Sequence, residues 1–273
     1  MKTLYVSDLD STLLRSDATL SDFTINTINS LCEKGLLFSF ATARSAKTAT
    51  AVTRGLLGDT PIIVYTGTFI ADRNTTEIIL SNTMTELEVQ AVCSAVDEFH
   101  IVPIVYSLVD GVERFMYDPE IVSGNVAEFL TTREGDSRSL AVSGGFAATL
   151  KGDIFYFTFM EPREILQPVY DFLKCRCNCL FQPDNYTDNW FLEVMPKAAT
   201  KANGALKLKE MLGAERLVAF GDGYNDIELF KAADECYAVA NAVEELKEIA
   251  TEVIGSCDDD GVARWLLENF KCE

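Results

Sequence analysis

The stretch YVSDLDSTLL, Tyr5 to Leu14, runs from apolar residues straight into two aspartates one residue apart. Carboxylates this close repel each other, and charge seldom ends a buried strand unless something compensates it. A turn or a helix cap is the ordinary use of such a pair. The other reading is a site that supplies positive charge, and the rest of the chain decides between them.

Strand and helix patterns alternate outward from this point. TLYVS reads as a buried strand, SDFTINTINSLCEKG as a helix with a Ser or Asp cap and Gly35 at its end, and LLFSFAT as a second strand. SAKTATAVTRGLLG and PIIVYTG repeat the pair. The tail resumes the pattern with TKANGALKLKEMLG, RLVAFGD, YNDIELFKAA, CYAVAN, AVEELKEIA, a short EVIG strand and the helix GVARWLLENF. Apolar strands without polar alternation, separated by helices, mean a parallel sheet covered on both faces. The middle differs, mixing helical patterns with hairpin-like strands, among them a turn at Asp110-Gly111. The expected architecture is α/β: a Rossmann-like parallel-sheet core from residues 1–82 and 190–273, interrupted by an α+β unit at 83–189. Hinges are expected near Ser81 to Thr85 and near Tyr186 to Phe191.

The chain of 273 residues carries 42 Asp and Glu against 23 Lys and Arg. Without a basic block, nucleic acid and anionic membranes are excluded as partners. A small anionic substrate stays possible, because a few local cations or a metal override the global field. MKTLYVSDLD meets aspartate before any secretory apolar region forms, and no later run reaches transmembrane length, so a soluble cytoplasmic protein is expected. Eight cysteines fit that compartment as free thiols. Three of them, Cys175, Cys177 and Cys179, have the wrong spacing for a zinc knuckle and lie far in sequence from His100. Strand alternation would put all three on one buried face.

In an open parallel sheet, ligands bind beyond the carboxyl ends of the strands. The strand patterns deliver Asp8 and Asp10 to that edge, then Thr42 and Arg44 from ATAR, then Asp222, Asn225 and Asp226 from GDGYND. Lys201 opens the helix after FLEVMP. Carboxylates without Cys or His suit a hard cation such as Mg²⁺, and the lysine and hydroxyl suit the oxygens of a phosphoryl group. Each residue alone has an ordinary structural reading. Their joint arrival at one edge favours chemistry.

DLDSTLL, ATAR, PKAATKANGAL and GDGYNDIELF resemble the four ordered motifs of the haloacid dehalogenase superfamily, and the tail from YAVANAVEELKEIA onward resembles its Cof-type sugar-phosphatase branch. The resemblance implies a phosphatase for small phosphorylated metabolites, with the inserted unit as a cap that closes over the core and selects the leaving group. Asp8 would be the nucleophile that forms an aspartyl-phosphate, and Asp10 the general acid and base. Mg²⁺ would be held by Asp8, the Asp10 main-chain carbonyl and Asp222, with Asp226 in support. Thr42, the Leu9 and Ala43 amides, Lys201 and Asn225 would hold phosphoryl oxygens. For these roles Asp10 must start protonated beside an ionised Asp8.

Three departures stand out. Ala43 replaces the glycine of the second motif, Thr66-Gly67 stands where the family has Asn-Gly, and Ala198 and Ala202 replace glycines around Lys201. Arg44 is open to pairing with Asp72 or Asp226, or to substrate contact. Trp190 and Phe191 read best as packing between cap and core. A phosphomutase shares the phosphoaspartate chemistry, and a phosphoaspartate signalling module shares the acids, hydroxyl and lysine.

Overall fold

The computed structural model describes residues 1–184 and 187–271. The chain divides into two compact units, Met1–Ser81 together with the residues from Ala199 onward, and Asn82–Ala198.

The first unit is built on a five-stranded sheet in the order Glu252–Ile254, Glu235–Val239, Arg216–Gly221, Thr3–Ser7, Leu37–Phe40. Every neighbouring pair is parallel. Thr3–Ser7 lies between two neighbours, with Leu4 and Val6 fully buried, as its unbroken apolar pattern requires. A parallel bridge from Ala41 to Ile63 extends the sheet by the next strand. Hydroxyl side chains cap the helices: Ser21 accepts from the Thr24 amide, Ser45 from Thr48 and Thr200 from Asn203. Ile62–Val64, expected from PIIVYTG, also opens a small antiparallel sheet with Phe69–Ala71 and Ile78–Ser81, two strands of three and four residues that the sequence pattern missed.

Two backbone details place the site. Gly67 has φ +94°, and a Cβ there would fall 2.1 Å from the Thr200 carbonyl oxygen, so only glycine lets the Lys201 helix start so close. Thr66 before it also sits in the left-handed region, at φ 54° and ψ 31°, and its buried Oγ1 has no partner among the described residues. A β-branched residue is poorly suited to that conformation. Thr66→Asn, the residue of the resembling family, is expected to stabilise the protein by about 1 kcal/mol, read as a higher melting temperature. An unchanged or lower melting point would mean that the buried hydroxyl contributes more than the backbone loses. Ala43, by contrast, is not among the residues with positive φ, so alanine sits without backbone strain where the resembling family has glycine.

The second unit holds a six-stranded sheet in the order Asn178–Pro183, Trp190–Met195, Asp153–Glu161, Ile104–Val109, Val112–Tyr117, Ser139–Ala141. All pairs are antiparallel except the last. Helices Glu86–Phe99 and Arg163–Leu173 pack on one face through Val92, Val96, Leu166 and Leu173 against Phe157, Phe159 and Leu192. Helix Gly124–Thr131 packs on the other through Val126, beside Ile104, Phe115 and Met160. The Asp110-Gly111 turn joins its hairpin as expected.

Two expectations need revision. FLEVMP was read as a strand of the core from residue 190, but Trp190–Met195 pairs on both sides within the second sheet, and this unit extends to Ala198. Tyr186, at the start of the expected second hinge, lies outside the described residues. Trp190 packs on Phe181 at 4.7 Å and Phe191 on Phe129 at 5.9 Å, all inside the second unit. The three close cysteines do not share a face: Cys175 is exposed after the helix, Cys177 is buried, and Cys179 is half-buried on its strand. Burial pushes the Cys177 thiol up to about 12, so it is an inert, protonated group.

Candidate active site

Asp8 follows Thr3–Ser7, and its amide donates to the Phe220 carbonyl at 2.9 Å, which fixes it beside the end of Arg216–Gly221. Asp222 follows that neighbouring strand. Because the strands are parallel, both acids leave the same edge. Asp226 is brought in by the GDGYND turn: its Oδ2 accepts from the Asp222 and Gly223 amides at 3.1 and 3.0 Å. A Cβ on Gly221 would lie 2.7 Å from Asp226 Cγ, so the glycine makes room for that carboxylate.

Lys201 closes the arrangement. Its ammonium donates to Asp8 Oδ1 at 2.5 Å and to Asp226 Oδ1 at 2.7 Å, and it is 1 % exposed. Asp8, Asp222 and Asp226 each offer an oxygen within 4.8 Å of the others. Asp8 and Asp226 thus share one buried cation, with the Asp222 carboxylate beside them. Burial raises the Asp8 pKa well above the ordinary carboxylate value, with Asp226 and Asp222 adding to it and Lys201 opposing. Burial likewise raises Asp222, against the hydroxyl hydrogen bond from Thr12. For Lys201, burial favours the neutral amine, but Asp226 and Asp8 together outweigh it and push its pKa up.

Asp10 stands apart from this cluster. Its carboxylate, 48 % exposed, is gripped by the Arg44 guanidinium, with Nε at 2.9 Å and Nη2 at 2.5 Å. The fork geometry is the strong, oriented form of a carboxylate pair. Asp72 and Asp226 are not the partners of Arg44: Asp72 caps the Asn74 and Thr75 amides, and Asp226 holds Lys201. Asp10 therefore meets a cation where the sequence suggested pressure from Asp8.

Thr42 is buried at the end of Leu37–Phe40, where its Oγ1 accepts from the Arg44 amide at 3.1 Å. Ala43 beside it is half-buried, Leu9 is fully buried, and Asn225 is exposed on the turn. All of them belong to the first unit, each just beyond a strand end or in the turn that follows it. The donor set of the acidic cluster is oxygen only, which fits a hard divalent cation such as Mg²⁺.

Haloacid dehalogenase-like hydrolases match residues 5–266 of this sequence. The chain belongs to that family. Among curated proteins it is similar to the 5-amino-6-(5-phospho-D-ribitylamino)uracil phosphatase of Bacillus subtilis, 24% identical over 98% of this chain and 97% of the relative. It is also 24% identical to the pyridoxal phosphate phosphatase of Escherichia coli, over 96% of this chain and 97% of that enzyme. Its fold matches a crystal structure from Thermotoga maritima with a TM-score of 0.75 at 23% identity, covering 100% of this chain and 99% of the other. A subclass IIB sugar phosphatase of the superfamily superposes with a TM-score of 0.70 at 22% identity, over 98% of each chain. The Cof-type placement and the enzyme class of phosphatase agree with these relatives.

Two site contacts of this hydrolase escape sequence reasoning. Thr12 donates its hydroxyl to Asp222 Oδ1 at 2.8 Å, orienting that carboxylate. Its only signal was a hydroxyl four residues after Asp8. The Arg44–Asp10 pair had none, because it spans 34 residues and depends on how two loops are placed.

Proposed function

We propose that this hydrolase is a Mg²⁺-dependent phosphatase of small phosphorylated metabolites, sugar phosphates or phosphorylated cofactors, acting through an aspartyl-phosphate. The observation that carries the reading is the buried lysine shared by Asp8 and Asp226, with Asp222 beside them at the carboxyl edge of the parallel sheet. The names of relatives that act on phosphorylated metabolites support the substrate class.

In the first half-reaction an Asp8 carboxylate oxygen bonds to phosphorus as the bond to the leaving alcohol breaks, and Asp10 gives that alcohol a proton. In the second, Asp10 takes a proton from water as the water oxygen attacks phosphorus and the Asp8–phosphorus bond breaks, releasing inorganic phosphate. Lys201 holds Asp8 in position and presents an ammonium to the phosphoryl group. The Thr42 hydroxyl, the Leu9 and Ala43 amides and the Asn225 side chain donate to its oxygens. Asp8, Asp222 and the Asp10 main-chain carbonyl would hold Mg²⁺, which lowers the charge opposing attack of an anion on an anion. Asp226, with both oxygens occupied by Lys201 and two amides, supports these groups from behind. The resemblance assigns substrate selection to the inserted unit. Among the described residues no helix is long and apolar enough to cross a membrane. The described cysteines are free thiols, which accords with a reducing cytoplasm.

A panel of phosphorylated metabolites and p-nitrophenyl phosphate, assayed for released phosphate, tests the reading. Turnover is expected with Mg²⁺, to fall to background with EDTA and to return when Mg²⁺ is restored. Mg²⁺ is also expected to raise the melting temperature by relieving repulsion among the three acids. Turnover indifferent to EDTA would remove the metal from the scheme. Isomerised sugar phosphate without phosphate release would replace the phosphatase by a mutase.

A further inference from the structure

Asp8, Thr42 and Lys201 are buried, but the Asp10 carboxylate is 48 % exposed and, among the described residues, meets only Arg44. Its backbone is placed by other contacts. The loop Leu9–Leu13 is pinned on both sides of it: Leu9 and Leu13 are buried, the Leu9 carbonyl accepts from the Leu14 amide at 2.8 Å, and the Thr12 hydroxyl is spent on Asp222. Asp10 and Ser11 lie between these pins. Ser11 sits in the left-handed region, at φ 60° and ψ 10°. A residue with a Cβ adopts that conformation at a cost, so it persists only where a neighbour holds it.

Asn241 is that neighbour. It follows strand Glu235–Val239, which runs parallel beside Arg216–Gly221, so its turn reaches the same carboxyl edge of the sheet. The Val243 amide donates to the Asp222 carbonyl at 2.9 Å and ties the turn to the acidic cluster. Asn241 Nδ2 donates to the Ser11 carbonyl at 2.7 Å. Its Oδ1 accepts from the Cys257 amide at 3.0 Å and from the Ser256 hydroxyl at 3.3 Å. The Cys257 amide can only donate and the Ser11 carbonyl only accept, which leaves the carboxamide one orientation.

We propose that Asn241 is a positioning residue for Asp10: by holding the Ser11 carbonyl it keeps the left-handed turn that sets where the Asp10 carboxyl stands. The inference rests on the phosphatase reading, which makes Asp10 the acid. The proton that Asp10 gives matters for an alkoxide leaving group and little for nitrophenolate, a stable anion that departs without one. A misplaced Asp10 therefore costs an alkyl phosphate more than p-nitrophenyl phosphate, whereas a general loosening of the fold costs both alike.

The test compares kcat/KM, which covers the first half-reaction, for p-nitrophenyl phosphate and for glucose 6-phosphate or whichever sugar phosphate turns over fastest. Asn241→Leu is expected to lower it about tenfold or more for the sugar phosphate and less than about threefold for p-nitrophenyl phosphate. Adding Ser11→Gly is expected to recover about threefold or more with the sugar phosphate, because glycine takes the left-handed conformation unaided. Asp258 accepts from the Ser16 amide at 2.9 Å and so joins nearby parts of the same two stretches beyond the loop. Asp258→Ala is expected to leave both substrates within about twofold of the parent. Asn241 is exposed, so its variants should fold. If Asn241→Leu does not, Asn241→Asp, which keeps the Cys257 contact and loses the donor to Ser11, is read in the same way. Equal losses on both substrates, no recovery by Ser11→Gly, or the same loss in Asp258→Ala overturns the inference. Parental kcat/KM in Asn241→Leu overturns it alone; a parent that releases no phosphate from any substrate overturns the phosphatase reading and this one with it.

Discussion

Asp8→Asn is expected to lower turnover by about 10⁴-fold or more and, in metal-free buffer, to melt at a higher temperature than the parent. The first effect follows from chemistry: a carboxamide keeps the shape of the nucleophile but lacks its anionic oxygen. The second follows from the surroundings. Asp8 is 6 % exposed and shares one ammonium with Asp226, while Asp222 lies within 4.8 Å. Burial and the two neighbouring acids hold its pKa above the unfolded value. In the interval between those two values the folded state binds more protons than the unfolded state, so stability falls as pH rises through it. The parent should therefore gain stability as pH is lowered from neutral through the raised pKa toward the ordinary carboxylate value. Asp222, raised in the same direction, adds to the slope. Asparagine removes the Asp8 share, and the dependence should flatten. Parental turnover in the variant would refute the nucleophile assignment; a lower melting temperature would show that the Asp8–Lys201 attraction exceeds the repulsion it relieves.

This trade of stability for function was visible in the sequence only where charge interrupts an apolar pattern. Asp8, Asp222 and Lys201 could be placed because each follows a strand pattern or opens a helix, and parallel strands bring such ends to one edge. Contacts between loops were not legible. Arg44 reaches Asp10 because two loops lie side by side, and neither residue type nor spacing encodes that approach. Strand membership failed where neighbours decide it: Trp190–Met195 is as apolar as a core strand, yet its two antiparallel partners put it in the other sheet. Alternating cysteines imitated a strand, but helix Arg163–Leu173 and the turn after it leave only Cys179 on one. The left-handed Thr66 was hidden for the opposite reason, since threonine is not a residue that announces such a conformation.

Lys201→Met is expected to destabilise the protein by about 3–5 kcal/mol at neutral pH and to abolish measurable turnover. Lys201 is 1 % exposed, so its hydration is already lost, and its charge is maintained only by Asp8 and Asp226 at 2.5 and 2.7 Å. A methionine of similar length fills the space, which confines the effect to charge and hydrogen bonding. It leaves three carboxylates within 4.8 Å and no ammonium among them. Two outcomes distinguish this from a packing defect. Lowering the pH should recover much of the lost stability, because protonation of Asp8 and Asp222 removes the repulsion, whereas a cavity or clash would persist. Added Mg²⁺ should recover part of it at neutral pH, because a dication can balance the same oxygens, without restoring turnover, since the ammonium that positions Asp8 is gone. Urea unfolding at two pH values, with and without Mg²⁺, reads all of this in one set of midpoints. A loss below about 1 kcal/mol that is the same at both pH values would mean that the acids are not balanced through Lys201.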